Sequence, residues 1–247
     1  MTDDLFRCDA YLRECEARIV RIDEAGIVLD RTVFYPLGGG QAGDSGQLVL
    51  AGGRTLAIAD TRKAKDAEGR PTHEIVHMPA PGQAELLAAL EPGEPVTPRI
   101  DWDRRHKLMR FHTATHLLCH LVPQPVDGCS ITPEYARLDF HMTDPLDKEA
   151  LGAGLARLVA AAHPLAVGAI TEDELDANPA LIKSMSVQPP RGAGTVRTIR
   201  IGETEAIDFQ PCGGTHVANT REIGKVVVTK IEKKSASTRR VVLGWAA

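Results

Sequence analysis

Two pairs of residues carry the chemistry that the sequence offers. In Phe111-His112-Thr113-Ala114-Thr115-His116 two histidines stand four apart within a stretch free of Pro and Gly. Four residues is slightly more than one helical turn, so both imidazoles leave the same face about one turn apart. That separation suits two ligands of one zinc ion. Much later in the chain comes Cys212-Gly213-Gly214-Thr215-His216, whose two glycines permit a tight loop that folds a thiolate and an imidazole round the same ion. A soft thiolate with imidazoles favours zinc over magnesium or calcium. The expected ligands are His112, His116, Cys212 and His216. Other sets stay open on the helix, because His120 continues the same face and Cys119 follows His116 by three residues.

The same residues limit the reaction. Thr113 and Ala114 follow His112 where helix-borne metalloproteases carry a catalytic glutamate, which disfavours peptide hydrolysis. Four protein ligands also describe a structural zinc, so spacing alone leaves a catalytic centre and a structural module side by side.

The elements that must position these side chains fall into two regions. Over the first hundred or so residues, short apolar stretches at 19–22, 27–29 and 48–50 are separated by turn signals such as Asp23-Glu24-Ala25-Gly26 and Ala51-Gly52-Gly53. No long helical period appears there, and a small barrel is the expected form. Pro79, Pro81, Pro92, Pro95 and Pro98 interrupt regular structure and make 78–98 the candidate boundary. Beyond it the texture is mixed. Residues 104–121 read as one helix with Leu108, Phe111, Thr115 and Leu118 on a buried stripe. Residues 135–142 alternate as a strand, and 147–162 read as a second helix. Thr171 and Glu174 form a capping box. Residues 196–201, 206–209, 226–231 and 240–243 read as strands. The expected fold class is α+β: a small N-terminal β-barrel over residues 1–100, carrying a glycine-rich motif, then an α+β zinc-binding domain over residues 101–247.

Composition sets outer bounds. Of 247 residues, 43% are apolar and 25% charged, ordinary for a globular protein. No apolar run approaches a membrane span. The opening MTDDLFRCDAYLRE is too polar and acidic for a signal peptide. Five scattered cysteines argue for a reducing cytoplasm and against a disulfide framework. Net charge is −4, yet residues 221–240 hold seven Lys or Arg against two Glu. Arg99, Arg104, Arg105, Lys107 and Arg110 form a second basic cluster. Such segments suit either a solvated face or contact with phosphates.

At the level of motifs the chain resembles a known family. His112-Thr113-Ala114-Thr115-His116-Leu117-Leu118 and Cys212-Gly213-Gly214-Thr215-His216-Val217 resemble the paired metal motifs of the alanyl-tRNA synthetase editing domain. Phe34-Tyr35-Pro36-Leu37-Gly38-Gly39-Gly40-Gln41-Ala42-Gly43-Asp44-Ser45-Gly46 is similar to the glycine-rich motif preceding that domain. Leu37 stands where the family commonly has an acidic residue, and Ala42 where it often has proline. The expected form is the medium-length, free-standing AlaX type, without an aminoacylation domain. The resemblance implies hydrolysis of the ester joining serine or glycine to alanine-specific tRNA, with Zn2+ as cofactor and the mischarged tRNA as partner. Sparing alanine needs polar groups that recognise the serine hydroxyl. On this resemblance Thr115 and Gln41 fall to catalysis, and Gly38, Gly39, Gly40, Thr113 and Ser130 to substrate binding. Thr115 has a plainer reading as a hydroxyl bonded back to its own helix, and Gly38–Gly40 as a sharp turn. Asp208 or Asp139 is expected to buttress a histidine, while His141 and His73 are expected to be structural or surface residues. The alternatives are a non-catalytic, zinc-stabilised RNA-binding module and a zinc hydrolase acting on a small ester or amide.

Overall fold

The structure is a computed structural model that describes residues 2–246. It is a mixed α/β protein whose chain divides into two compact units, Met1–Gly38 with Ala42–Arg105, and Gly39–Gln41 with His106–Ala247. Among the described residues no helix is long and apolar enough to cross a membrane, and all five cysteines are free.

The first unit holds β1 (Asp3–Asp4), β2 (Ala17–Asp23), β3 (Gly26–Leu29), β4 (Arg31–Thr32), β5 (Gly46–Val49), β6 (Thr55–Lys65), β7 (Pro71–Pro79), α1 (Ala84–Ala88) and β8 (Pro95–Ile100). Six strands close into a barrel in the order β2-β3-β7-β6-β5-β8. Their inward positions supply its core, with Ile19, Ile27, Leu29, Leu48, Leu56, Ile58, Val96 and Ile100 all buried. The β2–β3 hairpin turns where Asp23 Oδ1 accepts from the amides of Ala25 at 2.9 Å and Gly26 at 3.3 Å. Gly26 is required there: its φ is +139°, and a Cβ would stand 2.4 Å from the His77 carbonyl oxygen. The proline-rich stretch lies inside this unit. Pro79 ends β7, Pro95 opens β8 and Pro98 pairs with Leu48 of β5. Pro98 turns its carbonyl away from β5 towards the Cys15 amide (3.4 Å), so the missing N–H removes nothing from the β5–β8 ladder.

The first unit also buries an ion pair. Arg105 and Asp44 are both fully inaccessible, and the guanidinium donates to Asp44 and to the carbonyls of Ala10 (3.0 Å) and Val33 (2.6 Å). Asp44 Oδ2 further accepts from the Tyr35 amide at 2.6 Å.

To the second unit belong α2 (Trp102–Leu121) from His106 onwards, β9 (Val126–Ile131), β10 (Tyr135–His141), α3 (Lys148–Ala160), β11 (Leu165–Thr171), α4 (Glu172–Ala177), β12 (Thr195–Ile201), β13 (Asp208–Pro211), β14 (Val226–Lys233) and β15 (Thr238–Trp245). A four-stranded antiparallel sheet runs β14-β15-β10-β9, and a three-stranded one β11-β12-β13. Helix α2 is buried from Leu108 to Cys119 apart from half-buried Arg110, so it is a core helix with no solvent face over this span. Phe111 packs on Trp245 with ring centroids 4.3 Å apart. Asp147 caps α3 through the amides of Glu149 and Ala150, and the Thr171–Glu174 capping box opens α4.

Much of the expected basic surface is internally partnered. Arg99 pairs with Glu14 (2.6 Å), Arg104 bonds the Gly43 carbonyl, Arg105 is the buried partner of Asp44, and Arg110 lies 4.3 Å over the Trp245 ring. Lys107 and Arg99 of that cluster are exposed, Arg99 within its ion pair with Glu14. Within 221–240, Arg239 is buried against the Thr143 carbonyl and Arg240 is bound to Asp139.

Candidate metal centre

Helix α2 brings the first histidine pair together as the spacing requires, with the His112 and His116 ring centroids 5.4 Å apart. The second pair arrives on the loop that follows β13. Here Arg197 of β12 fixes the backbone, donating from Nη1 to the carbonyls of Cys212 (2.6 Å) and Gly214 (3.1 Å) while its own carbonyl accepts from the Cys212 amide (3.2 Å). Gly214 serves close approach: a Cβ there would fall 2.1 Å from His112 Cε1. The glycine therefore lets the loop lie against the imidazole. His216 completes the set, its ring centroid 4.2 Å from that of His112 and 4.6 Å from that of His116.

One ligand atom from each of His112, His116, Cys212 and His216 lies within 4.8 Å of the others. Cys212 Sγ stands 3.5 Å from His112 Nε2 and 3.3 Å from His216 Nε2. A tetrahedral zinc with ordinary bond lengths separates a sulfur and a nitrogen ligand by about 3.5 Å. The donor set and its spacing thus fit zinc, and His120 and Cys119 are not part of it.

Each imidazole is held from behind through Nδ1. His112 donates to Gln41 Oε1 at 2.7 Å, His116 to Asp208 Oδ2 at 2.7 Å, and His216 Nδ1 meets Thr113 Oγ1 at 3.2 Å. Gln210 steadies the carboxylate, donating from Nε2 to Asp208 Oδ2 at 2.8 Å. With Nδ1 engaged in this way, each ring turns Nε2 to the common point.

The electrostatics divide the members of the cluster. Burial raises the Cys212 thiol, but the neighbouring His112 and His216 outweigh it and hold the group well below the usual thiol range, as a thiolate. Burial, with His112 close by, holds His216 well below its ordinary value. At His116 burial is overridden by the hydrogen bonds and charges of Asp208 and Cys212, which push it up to about 10.

The structure distributes the other sequence-derived candidates as follows. Gln41 and Thr113 stand behind ligand histidines. Thr115 is buried and donates to the His112 carbonyl at 2.7 Å, one turn back on its own helix. Gly38 is half-buried in the first unit, where its carbonyl accepts from the Tyr35 hydroxyl (2.8 Å). Gly39 and Gly40 belong to the second unit and have φ of +56° and +84°. A Cβ on Gly40 would lie 2.9 Å from Cys129 Sγ. Ser130 follows Cys129 on β9 and therefore faces the other side of the sheet, paired with Arg137; the strand does not bring it to the cluster. Of the two aspartates, Asp208 buttresses a histidine, whereas Asp139 binds Arg137 (2.9 Å), Lys234 (3.0 Å) and Arg240 (2.7 Å). Against the opposing effect of burial, the Arg240 and Lys234 contacts hold Asp139 down to about 2. His141 sits at the surface beside Asp127. Two positioning residues were not anticipated, Gln210 and Arg197. Strand alternation carries a signal for the first, since Asp208, Gln210 and Cys212 recur at every second position.

The chain is similar to known proteins along its whole length. A family model described as "Threonyl and Alanyl tRNA synthetase second additional domain" matches residues 196–242, and one described as "tRNA synthetases class II (A)" matches residues 10–104. An alanyl-tRNA editing protein AlaX-M of Saccharolobus solfataricus is 33% identical over 245 residues, 98% of both chains. One from Methanosarcina barkeri is 34% identical over 249 residues, again 98% of both. An alanine–tRNA ligase of Metallosphaera sedula is 35% identical over 240 residues, which are 94% of this chain and 25% of the ligase.

Proposed function

The chain belongs to the AlaX-M family of alanyl-tRNA editing proteins, and from that premise we propose that it is a zinc-dependent ester hydrolase removing serine or glycine wrongly attached to alanine-specific tRNA. The observation that carries the reading is the convergence of one thiolate and three imidazoles on a point that fits zinc, in a chain alike over its whole length to editing proteins. We assign the reaction to the α+β region over residues 101–247 together with the Gly39–Gln41 segment.

An aminoacyl ester is already activated, so it needs an oriented carbonyl and a placed water more than a strong base. Zinc, when held by His112, His116, Cys212 and His216, would supply polarisation of the carbonyl or acidification of a water. Cys212 presents a thiolate, steadied by the Gly214 amide at 3.4 Å. Asp208, Gln41 and Thr113 keep the imidazoles oriented, and the hydroxyl of Thr115 ties down the helical turn between His112 and His116. Exposed Gly39 leaves bare backbone near Gln41, where an ester linked to a nucleotide could approach without meeting a side chain. Discrimination is physical: an alanine pocket rejects glycine and serine poorly, so a second hydrolytic site must correct the errors.

The complete four-residue ligand set supports one other reading, a structural zinc in a non-catalytic RNA-binding module. Incubating zinc-loaded protein with serylated alanine-specific tRNA separates the two. Release of serine at a rate that falls with Cys212→Ala is expected; tight, salt-sensitive RNA binding with no release would replace the hydrolase by the module. Equal turnover of a free serine ester would point instead to a small-ester hydrolase.

A further inference from the structure

The geometry points to Gln41 as a positioning residue of the metal centre, a clamp through which the glycine-rich loop sets zinc affinity. This rests on the reading that the cluster holds zinc. Gln41 is fully buried. Its Oε1 accepts from His112 Nδ1 at 2.7 Å and from the Thr215 amide at 3.1 Å, and its Nε2 donates to Thr215 Oγ1 at 2.9 Å. The side chain therefore joins the helix that carries His112 and His116 to the loop that carries Cys212 and His216.

The orientation of the amide follows from the Thr215 bond. A backbone N–H can only donate, so the atom facing it must be Oε1. That oxygen also faces His112 Nδ1, which must then carry the proton and leave the Nε2 lone pair directed at Cys212 and the ion site. Both Oε1 acceptor positions are engaged within the protein, and the oxygen has none left for a substrate hydroxyl.

The clamp is anchored at its base. Gln41 pairs with Ile131 at the end of β9, whose amide donates to the Gly40 carbonyl at 2.8 Å. Gly40 permits this approach, because any side chain there would strike Cys129. The loop thus transmits its position to His112 through one rigid amide, as partners behind metal-bound histidines commonly do.

Gln41→Met and Gln41→Glu test the inference. Methionine fills the volume but leaves His112 Nδ1 and the Thr215 amide without an acceptor; glutamate keeps both acceptors. Zinc affinity is read by competition with a chromophoric chelator, and ligand geometry by the visible spectrum of the Co2+-loaded chain. We expect Gln41→Met to weaken zinc about 10- to 100-fold and to perturb the Co2+ bands, and Gln41→Glu to stay within about threefold of wild type. Wild-type affinity in Gln41→Met together with lost deacylation would overturn the inference and make Gln41 a substrate contact. If Gln41→Met fails to fold, a Gln41→Glu protein whose zinc affinity falls as far as that of Cys212→Ala overturns it equally. Wild-type protein that takes up neither metal removes the zinc reading itself, a different failure.

Discussion

Asp44 with Arg105 in the first unit, and His112, His116, Cys212 and His216 in the second, are both withdrawn from water, but they differ in what the buried groups offer one another. The ion pair is complete in itself. Arg105 finds a carboxylate and two carbonyls, and Asp44 accepts from the guanidinium and from an amide. Nothing in it calls for a ligand. In the second cluster the hydrogen bonds run outwards, to Gln41, Asp208 and Thr113, and four ligand atoms face inwards, to a shared point. Ligand atoms gathered in this way need a cation between them, a proton or a metal ion. Burial of charge alone therefore says little about function; the direction in which the ligand atoms face says more.

That contrast can be broken by experiment. Its largest expected effect is at Cys212. Cys212→Ala should drop bound zinc from one per chain to a small fraction and abolish deacylation, while Asp44→Ala should leave metal stoichiometry unchanged at a temperature where the fold persists. Elemental analysis of the two variants checks this, and retained zinc in Cys212→Ala would erase the distinction.

On stability the order reverses. Removing one partner of a buried pair costs about 3–5 kcal/mol, because the other charge is left unpaired, and replacing both by apolar residues recovers much of that. Urea unfolding of Asp44→Ala should show such a loss, and Asp44→Leu combined with Arg105→Met should regain most of it. A double variant as unstable as the single one would mean that the pair contributes more than mutual neutralisation.

The next effect belongs to His77, which bonds Thr32 Oγ1 at 2.8 Å and the Ile27 carbonyl at 3.0 Å inside the barrel unit. Burial holds it at about 4, below its ordinary 6.5. Above pH 6.5 neither folded nor unfolded chain protonates it. As pH falls from 6.5 to 4 only the unfolded chain does, so stability is lost in that window and levels off below it, by about 3 kcal/mol in all. His77→Gln should flatten this part of the pH–stability curve. Asp139, held at about 2, acts in a lower window, its contribution being lost as pH falls below its ordinary 3.8.

Thr113→Val should give the smallest change. It removes the partner of His216 Nδ1 and of the Val217 amide (3.3 Å) while keeping the helix packed. Zinc affinity should fall by about three- to tenfold. An unchanged affinity with a raised KM for seryl-tRNA would return Thr113 to substrate recognition.

Several elements were legible because their signals are local. The period of Leu108, Phe111, Thr115 and Leu118 reports a helix, and observed α2 is longer than the 104–121 reading by two residues at its start. The Thr171–Glu174 box is present as read. The 206–209 strand is observed at Asp208–Pro211, a shift of the kind expected where the end of a strand is set by its neighbour β12. Less legible were residues whose partners lie far along the chain. Nothing near Gln41 announces His112, 71 positions away, and nothing near Arg105 announces Asp44, 61 away. Ser130 lies close in sequence to Cys129, yet alternation sends it to the opposite face.

By itself the sequence determined the ligand types, their pairing by helical pitch and by a glycine loop, and a reaction class narrowed by the absent glutamate. These follow from bond geometry and side-chain chemistry, which need no partner. Only the tertiary structure decided that two pairs nearly a hundred residues apart share one centre, that Gly214 is there to admit an imidazole, and that Gln41 and Thr113 stand behind histidines. Such assignments depend on which backbone comes to lie against which. Packing of the whole unit fixes that, and no local spacing records it.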